Sequence, residues 1–281
     1  MHLWTIATAV ALVWIIRTQF SSISSTATWS ERWYKCLFLL LFPVLLLLST
    51  AIAILYMGCH GAMLGVQAGS WGCGVAGILI LYAGGCLIKL IYQSYRSVSH
   101  LSNYPQQSIG TTKVRIIELE LPYSAQIGFW HSELVVSRGL LNTLDREHLT
   151  AVIAHEKAHL HYRDTFYFFW LGWIKTISCW LPNTEAIWQE LLLLRELRAD
   201  GKAAQEVDFL LLAESLLTVS KVSVESPLWS ASFNDCLLRD RLNERINFLL
   251  APAQPEVVKR WQNWSWLWLL FLPLLTIPLH S

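Results

Sequence analysis

The stretch DREHLTAVIAHEKAHL (residues 145–160) decides how the rest of the chain is interpreted. It lacks glycine and proline and opens on Asp145, a suitable N-cap, so it predicts one helix that ends near residue 160. Residues four positions apart share a helix face, so His155 and His159 can present their imidazoles to one point. Glu156 lies one position round from the first histidine. This is the HExxH arrangement, in which two neutral imidazoles bind zinc and the carboxylate takes a proton from a water on the metal.

Two plainer explanations of this motif stand beside the metal site. A match can arise by chance in a chain with nine histidines and 20 acidic residues, and buried histidines can simply bond to backbone groups. A catalytic zinc needs three protein ligands and one position open to water. A third ligand elsewhere in the chain therefore decides between these explanations.

A second acidic cluster supplies a candidate for that ligand. The segment TEAIWQELLLLRELRAD (184–200) is helical by its periodicity. Glu196 and Asp200 share one face of it, and the small Ala199 lets the helix approach a neighbour closely. We expect Glu196 to ligate the metal and Asp200 to accept the free N–H of a liganding histidine. The alternative is a solvated, charged helix end. Weaker ligand candidates on the same helix are Glu185 and Glu190.

Most of the remaining sequence is apolar. Hydrophobic residues make up 54% of the chain and charged residues only 15%, a balance typical of membrane proteins. Three charge-poor runs are long enough to cross a hydrocarbon core of roughly 30 Å. The shorter opening run has no basic residue before it, so we interpret it as a retained span and not as a signal peptide. The three long runs are 36–57, 71–92 and 263–279.

Lysine and arginine residues set the expected orientation. Loop 17–35 holds three of them, loop 58–70 holds none, and Lys259 and Arg260 precede the last span. This distribution predicts a multi-pass protein of the cell membrane with both termini outside. The expected domains are three transmembrane helices in 1–93, a cytoplasmic zinc domain in 94–260 and a fourth transmembrane helix in 261–281.

Segment 165–181 is apolar enough to be another span, but it cannot cross the membrane once. His159 and Glu196 must meet at one ion, so the chain has to stay on one side between them. We expect a helix apposed to the membrane, with Asp164 as its N-cap. Upstream, VRIIELEL (114–121), which alternates from Ile117 onward, and the short β-branched LVV (134–136) predict strands.

HEKAH, followed 37 positions after its second histidine by ELRAD, resembles the gluzincin pattern of HExxH and ExxAD in two groups of integral-membrane metallopeptidases. One group contains HtpX and the CaaX prenyl protease, and the other is the BlaR/MecR antirepressor family. The span layout and HLHYRD (159–164) are more similar to the BlaR/MecR group. The sequence stops just after the fourth span with no drug-sensing domain, so direct beta-lactam sensing is not expected.

The resemblance implies a polytopic α-helical membrane protein with an inserted small α+β gluzincin-type zinc metallopeptidase domain and one zinc per chain. SAQIGFW (124–130) resembles the strand that runs beside the zinc cleft, where an open edge can pair with an extended substrate. An ordinary sheet strand without substrate contact is the alternative.

Arg245, in LNERINFLL (242–250), matches the late arginine of the family. The resemblance implies a catalytic role for it, either in orienting the Glu196 region or in steadying a developing oxyanion. The alternative is a surface ion pair with Glu244 or Asp240.

The function expected from these residues is zinc-dependent cleavage of a protein or peptide at the cytoplasmic membrane surface. Glu156 would act as base and then return the proton to the leaving amine. The resemblance implies regulatory proteolysis of a DNA-binding repressor of the BlaI type, or self-cleavage. HtpX-like quality control of membrane proteins and a non-catalytic zinc-containing signalling scaffold are the alternatives. The net charge of +1 gives no sign of direct nucleic-acid binding.

The six cysteines form no CxxC pair. Cys59 and Cys73 flank one short loop, and a disulfide there requires that the loop face an oxidising space.

Overall fold

A computed structural model of the chain describes residues 2–18, 27–59, 62–63, 66–67, 70–225, 235–251 and 264–279. Within these residues the chain is mostly helical and has a small sheet. It divides into two compact units. The first unit is Met1–Ile91, Trp170–Leu191 and Val257–Ser281, and the second unit is Tyr92–Phe169 and Leu192–Glu256.

The first unit begins with two packed helices, α1 (His2–Thr18) and α2 (Trp29–Met57). A capping box starts α2: the Thr28 hydroxyl accepts from the Glu31 N–H, and the Glu31 carboxylate accepts from the Thr28 N–H. These reciprocal bonds satisfy two amides that a helix start would otherwise leave without partners. The start of α2 is thus fixed by its own sequence.

A short antiparallel pair, β1 (Ala62–Met63) and β2 (Val66–Gln67), leads from α2 into α3 (Ser70–Leu101). Helices α2 and α3 are long and apolar enough to cross a membrane, whereas α1 is shorter. The most apolar 18-residue window is 72% buried in α2 and only 11% buried in α3. Large apolar side chains therefore cover the outside of α3, among them Ile78, Leu81 and Ile88.

The expected fourth transmembrane helix is not a continuous α-helix in the described part of 261–281. Trp264–Phe271 and Leu274–Leu279 are two 3₁₀ helices. Pro273 lies between them and has no N–H to continue a helical ladder. Trp266 meets two aromatic rings of α2 edge-on, those of Phe38 and Phe42. Lys259 and Arg260, which entered the expected orientation, lie outside the described residues.

The second unit contains a four-stranded sheet in the order β3-β4-β6-β5. Strands β4 and β6 are parallel, and the other pairings are antiparallel. Strands β4 and β6 overlap the two predicted strands, but β4 ends at Ile117, where the predicted alternation begins. Strand β3 is exposed over most of its length, so its sequence carries no hydrophobic alternation to predict it. The strands are β3 (Gln106–Ile109), β4 (Thr112–Ile117), β5 (Ser124–Ile127) and β6 (Glu133–Ser137).

Helix α5 covers one face of this sheet. Its predicted N-cap is confirmed, because the Asp145 carboxylate accepts from the Glu147 and His148 N–H groups at 3.0 and 2.9 Å. A cap of this kind stabilises a helix by roughly 0.5–2 kcal/mol. The core between them consists of Val114, Ile116, Leu134, Val136, Val152 and Ile153.

Helices complete both units. They are α4 (Arg138–Thr143), α5 (Arg146–His161), α6 (Asp164–Ile177), α7 (Thr184–Ala203), α8 (Phe209–Glu225) and α9 (Asp235–Leu250). Three alanines, Ala151 and Ala154 of α5 and Ala203 of α7, belong to a buried cluster that also contains Leu212 and Leu249. These small side chains allow the helix backbones to approach closely.

Helix α6 corresponds to the apolar segment expected at 165–181. Its Trp173 indole N–H donates to the Ala83 carbonyl of α3 at 2.9 Å, so this part of α6 packs against a candidate span. The division between the two units falls inside α6 and inside α7.

Candidate metal centre

Three side chains from two helices converge on one point in the second unit. His155 and His159 of α5 are buried, and their Nε2 atoms face each other at 3.1 Å. Glu196 of α7 brings Oε2 to 3.3 Å from His155 Nε2 and Oε1 to 3.7 Å from His159 Nε2. The structure thus brings together the two histidines of the motif and the glutamate expected as a third ligand.

This triangle of donor atoms has the dimensions of a zinc site. Zinc bonds to imidazole nitrogen and carboxylate oxygen are about 2.1 Å long, and tetrahedral geometry then separates the ligand atoms by about 3.4 Å. The three observed separations bracket that distance. Two imidazoles and one carboxylate are also a donor set found in catalytic zinc sites. The side chains therefore fit a zinc ion with little rearrangement.

Asp200, expected to accept from a liganding histidine, lies beside His155. The carboxylate is fully buried, and its Oδ1 is 2.8 Å from His155 Nδ1, an ion-pair distance with the ring turned somewhat away from hydrogen-bond alignment. Arg245 of α9 donates two hydrogen bonds to the same carboxylate, from Nε at 2.7 Å and from Nη2 at 2.8 Å. Its Nη1 also lies 3.4 Å from Glu196 Oε2. This geometry favours the orienting role among the alternatives for Arg245.

Asp164 contacts His159 in the same way, and an arginine again holds the carboxylate. Its Oδ2 lies 2.7 Å from His159 Nδ1, and the Arg198 guanidinium donates to Oδ1. The Arg198 guanidinium also lies over the Tyr162 ring at 4.2 Å. The sequence predicted only an N-cap for Asp164, so this contact was missed. The signal that could have found it is the rule that each liganding histidine donates its second ring N–H to an acceptor.

Arg195 completes the surroundings of Glu196. Its Nε and Nη2 donate to Glu196 Oε1 at 2.9 and 2.7 Å, and its guanidinium lies 4.9 Å from the centre of the Phe168 ring. The Arg195 guanidinium thus contacts both the charged carboxylate of Glu196 and the aromatic ring of Phe168. In the segment RELRAD, both arginines therefore contact the site, which the alternative of a solvated helix end does not predict.

Glu156 stands beside the triangle and outside it. Its side chain is buried, and the Ser124 hydroxyl donates to Oε1 at 2.8 Å. Gln126 Nε2 donates to the Glu156 carbonyl at 3.2 Å, which ties β5 to α5. A cavity of about 210 Å³ opens here. Its lining consists of Ser124, Ala125, Gln126, His155, Glu156, His159, Asp164, Thr165, Arg195 and Glu196.

The turn after β5 depends on a glycine. Gly128 has φ of 136°, and a Cβ there would lie 2.2 Å from the His131 carbonyl oxygen. The turn carries Phe129 onto two rings of α6, with centroids 5.1 Å from Phe166 and 4.6 Å from Phe169. The predicted strand at 124–130 is therefore shorter than expected and ends in this aromatic turn.

Charge pairing dominates the electrostatics of the centre. Burial would lower the pKa of His155, but the carboxylates of Asp200 and Glu196 raise it to about 9. Burial would likewise raise the pKa of Glu196, yet hydrogen bonds from both histidines and the charges of Arg245 and Arg195 hold that pKa well below its usual range. Glu196 therefore stays ionised, in the form that binds a metal.

Comparison with known proteins gives an independent result. Residues 95–223 match the model of Peptidase family M48, and this range contains both histidines, Glu156 and Glu196. The Protease HtpX homolog of Aquifex aeolicus (strain VF5) is 32% identical over 76 residues, which are 26% of this chain and 24% of that protein. The similarity thus spans about a quarter of that curated relative. No solved structure matches the chain. These findings support a metallopeptidase.

Proposed function

We propose that this chain is a membrane-embedded zinc metalloendopeptidase. The observation that carries the proposal is the convergence of His155, His159 and Glu196 within zinc-ligand distances, with Glu156 left outside the triangle and facing the same cavity. The match of this segment to Peptidase family M48 supports the same reaction class.

His155, His159 and Glu196 would hold one zinc ion per chain, which would supply Lewis acidity toward a peptide carbonyl and a water. Glu156 takes a proton from the attacking water and delivers it to the leaving amine nitrogen. The Ser124 hydroxyl holds Oε1 of that carboxylate, so the base keeps one orientation toward the cavity.

The buried aspartates position the two imidazoles. Asp200 and Asp164 each face the Nδ1 of one histidine, which leaves each Nε2 unprotonated toward the metal. Arg245 and Arg198 hold these carboxylates in place by hydrogen bonds. Arg245 therefore acts through Asp200 and Glu196, and among the described residues it does not line the cavity.

A protein or peptide in an extended conformation is the substrate that fits this cavity. Three residues of β5 line it, and within the described part of the chain β5 pairs with β6 alone. The other edge of β5 can accept backbone hydrogen bonds from a substrate segment laid beside it. This arrangement supports the substrate-binding role suggested for 124–130.

We place the enzyme in the cell membrane as a multi-pass protein, with the metal centre on the cytoplasmic side. The exposed apolar surface of α3 supports this location, because a soluble protein rarely leaves so large an apolar surface in water. The lysine and arginine distribution supports the orientation.

Two biological roles follow from the resemblances. The first is regulatory proteolysis in the BlaR/MecR manner, acting on a BlaI-like DNA-binding repressor or on the chain itself. The second is HtpX-like quality control of membrane proteins, and the similarity to the Protease HtpX homolog favours it as the alternative. A non-catalytic zinc scaffold is disfavoured, because the described residues offer no fourth protein ligand that would close the site.

Metal analysis and proteolysis of the purified whole chain test the proposal. We expect about one zinc per chain, lost in His155→Ala and in Glu196→Ala. Glu156→Gln should keep the zinc but lose cleavage of an unfolded protein such as casein, of a co-expressed BlaI-like repressor and of the chain itself. His161→Ala and Glu147→Gln, on the same helix as the motif, are the matched controls and should behave as wild type. Full zinc in the two ligand variants would refute the ligand assignment, and unchanged cleavage in Glu156→Gln would refute the catalytic role.

A further inference from the structure

The ends of α2 and α3 carry a pair of cysteines that the metal centre does not use. Cys59 follows α2 directly after Gly58, and Cys73 lies in the first turn of α3. The β1–β2 pair lies between them, so the two cysteines lie at the two ends of the connection from α2 to α3. They are 14 positions apart in sequence.

The two cysteines occupy one packed region of the protein. Both side chains pack on one apolar cluster that includes Ala51, Ile54 and Ala76. Two cysteines packed on the same cluster need little backbone movement to bring their sulfurs to bonding distance.

Their accessibility differs. Cys73 is 5% exposed, whereas Cys59 is partly exposed. An external reagent would therefore meet Cys59 first, with Cys73 placed behind it to react second. This is the arrangement of an attacking and a resolving thiol.

The expected side of the membrane is an oxidising one. Loop 58–70 contains no lysine or arginine, which predicts that it faces away from the cytoplasm. Disulfides form and persist in extracytoplasmic spaces and are rare in the cytosol. This step depends on the proposed membrane orientation and not on the zinc site.

We propose that Cys59 and Cys73 form a disulfide that locks the end of α2 to the start of α3 on the extracytoplasmic side. The co-reactant is an external disulfide, such as an oxidised thiol–disulfide oxidoreductase. The Cys59 thiolate attacks one of its sulfurs, which forms a mixed disulfide and expels one thiolate. The Cys73 thiolate then attacks the Cys59 sulfur and expels the second thiolate. The cysteine pair loses two electrons and two protons, and the external disulfide becomes two thiols.

Thiol trapping in the whole chain tests this proposal. Cells that express the protein are quenched in acid, and the thiols are alkylated with N-ethylmaleimide in SDS before and after reduction. Two of the six cysteines should resist alkylation until reductant is added. Mass spectrometry of the unreduced digest should find the peptides of Cys59 and Cys73 joined.

Cys36→Ser, which removes a buried cysteine of α2, is the matched control and should keep the link. Cys73→Ser should abolish it. Complete alkylation of Cys59 and Cys73 without reductant in the wild-type chain would overturn the proposal, as would a link from Cys59 to any other cysteine. The wild-type measurement decides the matter even if a variant fails to fold. If Cys59 and Cys73 are reduced in a chain that binds zinc and cleaves substrate, the disulfide proposal is refuted and the proposed peptidase function is not.

Discussion

Each histidine of the candidate metal centre has its own buried aspartate, and each aspartate has its own arginine. Arg245 contacts Asp200, which contacts His155. Arg198 contacts Asp164, which contacts His159. A liganding imidazole can rotate and can carry its proton on either nitrogen, and an ionised acceptor removes both freedoms. The two imidazoles are thus oriented before a metal arrives.

The contact of Asp164 with His159 gives a testable result. Asp164→Asn keeps the shape of the side chain but removes its charge, so the imidazole loses its fixed orientation. We expect zinc affinity to fall by about 10- to 100-fold, measured by competition with a chelating dye. Asp208→Asn, which alters a carboxylate that caps α8, should leave the affinity unchanged. Equal affinity in Asp164→Asn and wild type would show that the contact does not hold the ligand.

Ser124 gives a second test at the same scale. Ser124→Ala removes the hydrogen bond to Glu156 Oε1 and should leave the metal in place. A hydrogen bond of this kind contributes about 0.5–1.5 kcal/mol, so we expect kcat to fall about 2- to 10-fold. Ser132→Ala, outside the cavity lining, is the control. A kcat equal to that of wild type, with full zinc, would exclude a role for Ser124 in holding the base.

The sequence predicted the part of the site that helical spacing controls. His155 and His159, like Glu196 and Asp200, are four positions apart on one helix, so their shared faces follow from geometry alone. Asp164 is five positions after His159 and beyond the end of α5. Arg163 adopts φ of 52° there, a left-handed conformation that reverses the chain. No periodicity anticipates a contact made across such a turn.

Among the elements, the strands differ in how their sequences encode them. Strands β4 and β6 contribute buried side chains to the core under α5, and the stretches 114–121 and 134–136 predicted as strands overlap them. Strand β3 is exposed and is defined by its pairing with β4, which only the folded chain provides. The 3₁₀ segments after Trp264 illustrate the same limit, since apolar composition alone does not distinguish them from an α-helix.

An ion pair fastens the start of β6 to β4 and makes the stability of the sheet depend on pH. Arg115 donates to both carboxylate oxygens of Glu133, and its Nη1 donates to the Tyr104 carbonyl at 2.9 Å. The hydrogen bond from Arg115 holds the pKa of Glu133 below its usual range. A carboxylate whose pKa is lowered on folding stabilises the protein above its unfolded pKa of about 4.3, and this stabilisation disappears as the pH falls through the folded value.

We therefore expect Glu133→Gln to lower the Tm at pH 7 and to have a smaller effect at pH 3, because the stabilisation is lost as the pH falls through the lowered pKa of Glu133. The loss should be about 1 kcal/mol or less, because the carboxylate is partly exposed. Thermal unfolding in detergent at both pH values measures it, with Glu120→Gln as the control. A difference of the same size at pH 3 and pH 7 would argue against the ion pair as the cause.

For the whole molecule, the two candidate spans differ in what surrounds them. Helix α2 is mostly covered by the chain itself, whereas the apolar side chains of α3 are mostly uncovered. Lipid tails can cover α3 without any further protein contact. Helix α3 thus has an apolar surface suited to a bilayer.

Reporter fusions check this arrangement. A periplasmic-type reporter such as alkaline phosphatase should be active when inserted in loop 58–70 or fused after Ser281, and a cytoplasmic fluorescent reporter should be active near residue 110. The chain should also stay in the membrane after extraction with alkaline carbonate. An active cytoplasmic reporter after Ser281, or release by carbonate, would rule out the proposed topology.

Within the described residues one edge of β5 is unpaired, and for the proposed peptidase this edge determines which neighbouring proteins it can cleave. The strand has four residues and is about 13 Å long, beside a cavity of modest size. A natively folded protein keeps its main-chain amides engaged internally and has no loose segment to lay along that edge. We expect vulnerability to follow the conformational state of a client more than its residue composition, so that intact proteins in the same bilayer are spared while a locally unravelled one is cut.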